Sequence, residues 1–257
     1  MDHETKNSAV TVEGKNAVVI GGTSGIGRGI ARAFVEDGAN VIATSRSQEA
    51  VAAITEEIRS EGAATTAQPC DTTNRESITD LRNAAVDTFG HVDILVNSVS
   101  TTAHASITEM SDEQWDRSLD VFLTGTFLAC QIFAREMDEG SIVNISSMSA
   151  DQIREERPAY CAAKSGVNGL TRAASVDLAP EIRVNAIAPG FVRTRATADR
   201  LAEGTSARDS IDERTPMNRV ADTGEIAGAA IYLGSDASSF STGEILTVDG
   251  GYDRSAM

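Results

Sequence analysis

A short apolar run, Ala17-Val18-Val19-Ile20, breaks into Gly21-Gly22-Thr23-Ser24-Gly25-Ile26-Gly27, and a helical pattern of Ile30, Ala31, Phe34 and Val35 follows up to Gly38. Strand, glycine-rich turn and helix in direct succession restrict the fold more than any other feature of the chain. Such a turn lets backbone N–H groups and a helix N-terminus approach a phosphate. Its glycine spacing, Gly21-x-x-x-Gly25-x-Gly27, is looser than G-x-G-x-x-G, so its meaning comes from its place between strand and helix.

The same alternation continues along the chain. Strand-like runs are expected at Val41–Thr44, Ala63–Pro69, Val92–Val96, Ser141–Ser147, Ile182–Ala188 and Ile245–Val248, which with the first makes about seven. Helical patterns separate them, including residues 47–61, 112–135, 158–179 and 223–233. Alternating strands and helices predict an α/β fold, a doubly wound parallel sheet of about seven strands with helices on both faces. No linker, repeat or low-complexity stretch divides it. We expect a polar, loose tail over 1–12 and a single domain over 13–257, with a polar segment at about 195–220 forming a lid.

Composition excludes several function classes. Asp and Glu number 38 against 22 Lys and Arg, a formal charge of −16, and only Lys6, Lys15 and Lys164 are lysines. Such a surface disfavours nucleic acid and anionic membranes. It also suits a high-salt medium, where screening relieves self-repulsion. No apolar run approaches the ~18 residues that span a bilayer, and no signal peptide opens the chain. Cys70, Cys130 and Cys161 form neither a zinc pattern nor a disulfide framework. A cytoplasmic protein without a metal is expected. A serine hydrolase is excluded, since no G-x-S-x-G elbow occurs and His3, His91 and His104 lie near no nucleophile.

The chemistry concentrates after the fifth strand-like run. Tyr160 and Lys164, four apart at the start of a helix, share one face. A neighbouring ammonium favours a phenolate, which makes the pair a candidate general acid/base. Ser147 lies thirteen residues upstream, with Ser146 as its alternative. The second strand ends in Ser45-Arg46-Ser47. No carboxylate lies between Asp37 and Glu49, where a reader of a ribose 2′-hydroxyl would place one. Arg46 instead offers a fork of donors suited to a 2′-phosphate, with Arg28 as a second candidate.

Taken together, the glycine turn, Ser147, Tyr160-x-x-x-Lys164 and Pro189-Gly190 resemble the short-chain dehydrogenase/reductase family, over about Gly14 to Tyr252. The resemblance implies hydride transfer between a nicotinamide cofactor and a carbonyl or secondary alcohol. It implies that Ser147 binds the substrate oxygen, that Tyr160 moves the proton, and that Lys164 holds the nicotinamide ribose and depresses the Tyr160 pKa. The implied cofactor residues are Gly21, Ser24, Gly25, Ile26, Gly27, Ser45, Arg46, Asp71, Asn97, Tyr160, Lys164, Pro189, Gly190, Val192 and Thr194. Asp71 would lie by the adenine, and the Val192 backbone with the Thr194 hydroxyl would hold the carboxamide. With Arg46, the expectation is NADP(H) over NAD(H).

The chain departs from the family pattern in four places, the first being Ile20, where the family often has Thr. Ser24 stands where NADP users often carry a basic residue. Asn97-Ser98-Val99-Ser100 replaces Asn-Asn-Ala-Gly. Phe122 replaces an Asn expected to hold a proton-relay water, so that Lys164 would exchange its proton by another route or the helix would shift there. The last two departures also admit a nucleotide-binding sensor or scaffold with little catalysis. The substrate would be a sugar, polyol, 3-oxoacyl thioester or other ketone. Arg154, Arg157, Arg193 and Arg195 flank the expected mouth and hint at an anion, and His104 could line it. The apolar stripe of Trp115, Phe122 and Phe127, with the two long helices, suggests a homodimer or homotetramer.

Overall fold

A computed structural model of the chain describes residues 9–101 and 103–255. Among the described residues there are eight strands: β1 (Asn16–Ile20), β2 (Asn40–Thr44), β3 (Ile94–Asn97), β4 (Gly140–Ile145), β5 (Ile182–Pro189), β6 (Val192–Arg193), β7 (Ala221–Asp222) and β8 (Ile245–Val248). The helices are α1 (Gly25–Glu36), α2 (Gln48–Ser60), α3 (Arg75–Phe89), α4 (Asp112–Leu119), α5 (Gly125–Ala134), α6 (Pro158–Asp177), α7 (Ser206–Arg214) and α8 (Thr223–Gly234). The main sheet is parallel and six-stranded, in the order β2-β1-β3-β4-β5-β8, while β6 and β7 form a separate two-residue pair.

The sheet is buried on both faces because its strands are apolar at nearly every position. Ala17 and Val19 of β1 face one core with Ile30 and Phe34 of α1 and Ile226 and Leu233 of α8. Val18 and Ile20 face the other, with Ile78 and Leu81 of α3 and Phe133 of α5. The chain runs from β1 outward to β2, then crosses back to β3 on the other side of β1. That reversal opens a crevice beyond the strand ends, the usual ligand site of such sheets.

The expected seventh strand, Ala63–Pro69, is not a ladder strand. The Val41 N–H donates to the Ala64 carbonyl (3.2 Å), Ala64 N–H to Asn40 Oδ1 (2.9 Å), Cys70 N–H to Ser45 (3.0 Å) and Thr44 Oγ1 to the Gln68 carbonyl (2.5 Å). The segment is thus tethered along β2 at three points, and the sheet has six strands rather than seven.

Residues 1–8 of the expected tail lie outside the described residues. Thr11 and Val12 are not loose: Thr11 Oγ1 and Val12 N–H both donate to Asp37 Oδ2, at 2.9 and 2.6 Å, and Val12 is fully buried.

The expected helix over 112–135 is broken into α4 and α5 by a π-helical turn at Asp120–Thr124. The Gly125 N–H reaches back five residues to the Asp120 carbonyl. Two close approaches fix this kink. A Cβ on Gly125 would press on Thr72 at 2.9 Å, and one on Gly166 of α6 would press on Leu123 at 2.8 Å. Helix α6 therefore lies tight against the π turn. Such turns are frequent at functional sites.

Candidate active site

The ends of β1, β2, β3, β4 and β5 open into one cleft of about 1080 Å³, which the segment after β6 covers. At its floor the turn after β1 is held by Gly21 and Gly22 N–H groups donating to the Thr44 carbonyl, at 2.8 and 3.0 Å. Gly21 has φ +79°, and a Cβ there would collide with the Ser98 carbonyl. Gly25 has φ +55°, and a Cβ there would meet nothing closer than the Thr194 methyl group at 3.7 Å. The turn is therefore packed beneath Gly21 and open above Gly25.

Helix α1 starts at Gly25. Its N-cap, Ser24, makes no side-chain cap, and its first turn carries no acid. The Gly25, Ile26 and Gly27 N–H groups precede the first intrahelical partner, and the helix end carries partial positive charge. Ser24, Gly25 and Ile26 line the cleft. Gly27 does not: its missing Cβ leaves room for the Gly21 carbonyl, which brings helix and strand together. Ser45 and Arg46 line the same end, with Asp71 beside them. Thr23 Oγ1 donates to Ser45 Oγ at 2.9 Å. Arg46 has no ion-pair partner among the described residues. Arg28 does: Glu57 takes it at 2.7 Å and Arg32 at 3.2 Å, so the expected second phosphate contact is already committed. These donors fit a dinucleotide pyrophosphate at α1 and a 2′-phosphate at Arg46.

The other end holds Ser147, Tyr160 and Lys164. Ser146 Oγ is spent on Asn168 Oδ1 at 2.6 Å. Ser147 Oγ accepts the Ser149 N–H at 3.0 Å and lines the cleft with Tyr160, where its hydroxyl acts to lower the Tyr160 pKa, which favours Ser147 of the two serines. Pro158 at the first turn of α6 starts the helix that carries Tyr160 and Lys164 into the cleft. Lys164 is buried at 4% exposure and donates from Nζ to the Ile145 carbonyl at 2.6 Å.

Phe122 sits between these two. Its ring face lies 4.6 Å from Lys164 Nζ, and its edge meets the Tyr160 ring at 5.1 Å and 80°. An ammonium on an aromatic face is attracted by the ring quadrupole. Phe122 is 3% exposed, so it belongs to this site and not to an exposed apolar stripe. Trp115 and Phe127 remain half-exposed.

The electrostatics differ from expectation. Burial lowers the Lys164 pKa to about 7. Burial also raises that of Tyr160, against the lowering effects of Ser147, Arg157 and Arg154. Lys164 is not among the groups that lower it, and its Nζ stands 5.9 Å from the Tyr160 ring centre, turned to the Ile145 carbonyl. The Tyr160 hydroxyl is therefore protonated at neutral pH. Cys70 also lines the cleft, but burial pushes its thiol up to about 12 and makes it a poor nucleophile.

Asn97 is turned away from the cleft. It donates to Asn144 Oδ1 at 2.9 Å, and Asn144 donates to Thr171 at 3.0 Å, a buried chain that ties β3 and β4 to α6. Ser98, Val99 and Ser100 take the cleft wall instead. Pro189, Gly190, Val192 and Thr194 line it, and Thr194 N–H donates to Thr197 Oγ1 at 2.9 Å. The expected lid begins there and includes α7. Leu201, Ile211 and Val220 form its own small core with Phe191.

Of the expected mouth arginines, Arg193 points away and pairs with Asp222 at 2.9 Å. Arg154 and Arg157 line the cleft, with Arg195 and with Arg200, which sequence reading missed. His104 is exposed and accepts from Arg157 at 2.9 Å, outside the cleft lining.

Comparison with known proteins shows which family this chain resembles along its length. Residues 20–253 match the family model described as enoyl-(acyl carrier protein) reductase. D-threitol dehydrogenase of Mycolicibacterium smegmatis is 35% identical over 94% of this chain and 94% of its own. A short-chain type dehydrogenase/reductase from Mycobacterium ulcerans superposes with a TM-score of 0.91 at 31% identity, over 95% and 92% of the two chains. A gluconate 5-dehydrogenase from Burkholderia cenocepacia J2315, solved in complex with NADP and tartrate, has a TM-score of 0.90 at 31% identity, over 95% and 97%. With a family model spanning most of its length and relatives above 30% identity along nearly all of it, the chain belongs to the short-chain dehydrogenase/reductase family of oxidoreductases.

Proposed function

We propose that this oxidoreductase interconverts a carbonyl and a secondary alcohol with NADP(H). The observation that carries the reading is one cleft with a phosphate-accepting turn and Arg46 at one end and Ser147, Tyr160 and Lys164 at the other. The NADP-bound structural neighbour supports the cofactor choice, as does the absence of a carboxylate beside Arg46.

Bound nicotinamide supplies or accepts the hydride, and the chain supplies the proton. In reduction, Ser147 donates a hydrogen bond to the carbonyl oxygen and Tyr160 gives that oxygen its phenolic proton as the hydride reaches carbon. In oxidation the phenolate takes the alcohol proton. Burial keeps Tyr160 protonated, so the geometry favours proton donation at neutral pH, while Arg157 and Arg154 stabilise the phenolate left behind. Lys164 would hold the ribose hydroxyls and return the proton. The lid keeps water from the reacting atoms. Half-exposed Trp115 on α4 and Phe127 on α5 support a homodimer or homotetramer in which the helices over 112–135 and 158–179 pair.

The test is NADPH consumption, followed at 340 nm (roughly the reduced-nicotinamide band), against a panel of ketones, with NADH in parallel. Turnover with NADPH supports the reading. No turnover of any ketone or alcohol with either cofactor would reject it.

A further inference from the structure

Three guanidinium groups converge on the substrate end of the cleft. Arg157 lies over the Tyr160 ring, 5.6 Å from its centre. Arg154 and Arg200 share the Phe191 ring at 5.0 and 5.7 Å. One comes from the loop after β4, one from the N-cap of α6 and one from the lid. Among the described residues none of the three has a carboxylate within ion-pair distance, although other arginines have such partners.

That arrangement costs free energy within the chain. Like charges repel, and each guanidinium has lost some of its water. Burial lowers the pKa of Arg157 and of Arg200, and the charge of Arg154 lowers both further. Loss of solvent first, and then all three arginines, lower the His104 pKa, and a His104 ring nitrogen accepts from Arg157 at 2.9 Å. The carboxylate of Glu156 is felt at His104 but pairs with none of the three. The chain has 38 acidic residues to choose from, so three unpaired arginines in one place are not explained by a shortage of counter-ions.

We propose that these three residues form a seat for an anionic group on the substrate, a carboxylate or a phosphate held away from the carbonyl that Tyr160 protonates. This rests on the catalytic reading above and names its substrate class. Guanidinium forks match both anions, and the aromatic faces of Phe191 and Tyr160 hold two of the forks in place. The distal phosphate of the cofactor does not account for the trio, since Arg46 lies at the other end, after β2. Arg200 rides on the lid, so an anion bridging Arg154 and Arg200 would also draw the lid shut over the reacting atoms.

The test uses the whole protein at constant ionic strength. Malonate and inorganic phosphate are titrated calorimetrically into the wild type and into the Arg154→Gln/Arg200→Gln double variant, and NADPH affinity is measured in both. Kinetics then compare a ketone bearing a carboxylate, the same ketone bearing a phosphate ester, and its neutral amide. We expect one of the anions to bind and to compete with substrate. We expect the matching ketone to exceed the amide in kcat/KM by about tenfold to a hundredfold, the range of one or two charge-assisted hydrogen bonds. The double variant should lose that preference with NADPH affinity within about twofold, the screening-level effect of a distant charge. Arg200→Lys should keep part of it. Equal turnover of amide and anion, or anion binding unchanged in the double variant, overturns the proposal. A protein that reduces only neutral ketones keeps the catalytic reading and loses this one. A protein that binds an anion through these arginines and reduces nothing does the reverse.

Discussion

Replacing Lys164 with methionine should make the empty enzyme more stable while it damages catalysis. The side chain is buried, and burial holds its pKa near 7 against an ordinary 10.5. Between those values the unfolded chain binds a proton that the folded chain does not, so stability rises with pH through that window. At and below pH 7 the folded protein carries nearly the full penalty of burying the ammonium, about 4–5 kcal/mol. Methionine removes that penalty but leaves the Ile145 carbonyl without its donor, a loss of about 1–3 kcal/mol. The net gain at pH 7 is about 1–4 kcal/mol, or roughly 2–16 °C in Tm for a domain of this size. Urea unfolding of both apoproteins at pH 6, 7 and 9.5, at fixed salt and protein concentration, measures it. The gap between the two should shrink as pH rises toward 10, because the wild type regains stability and the variant does not. A less stable variant at pH 7, or a gap that ignores pH, would refute the reasoning.

Three further outcomes are expected. Arg46→Asp should reverse the preference for NADPH over NADH, since a charge-assisted phosphate contact of ~1.5–3 kcal/mol becomes a repulsion; equal kcat/KM for both cofactors in the wild type would contradict it. Phe122→Asn should replace an aromatic face with polar partners for Lys164, raise the pKa of its ammonium and move the alkaline limb of the oxidation pH profile; an unshifted profile would show that the Phe122 ring does not tune Lys164. With a formal charge of −16, unfolding midpoints should rise from dilute buffer to molar salt; a protein most stable in dilute buffer would refute this.

Much of the fold was legible because the sheet is parallel and buried, so each strand announced itself as an apolar run bounded by a turn. Ala63–Pro69 misled because its neighbours are on one side only, and tethering by four hydrogen bonds leaves no pattern that differs from a strand. That the glycine turn and Ser147, Tyr160 and Lys164 would meet in one cleft was legible by spacing. What spacing could not carry was direction. Asn97 turns into the core because Asn144 is there to receive it. Arg28 is taken by Glu57 and Arg193 by Asp222, partners on other elements. The π turn around Phe122 leaves the helical periodicity of α4 and α5 almost unaltered, and only the Gly125 and Gly166 contacts explain it. Arg200 was missed because a polar lid offers no periodicity at all; the signal was a basic residue near Phe191 with no acidic partner in reach.

The account stands most directly on the phenolic proton of Tyr160. Single-turnover NADPH oxidation by Tyr160→Phe, on whichever ketone the wild type reduces, isolates it. Removing the hydroxyl deletes general acid catalysis worth about 10²–10⁴-fold and leaves the ring packed on Phe122. The account predicts a rate lower by at least that factor with NADPH affinity nearly unchanged. A Tyr160→Phe enzyme that reduces the ketone at close to the wild-type rate would contradict it.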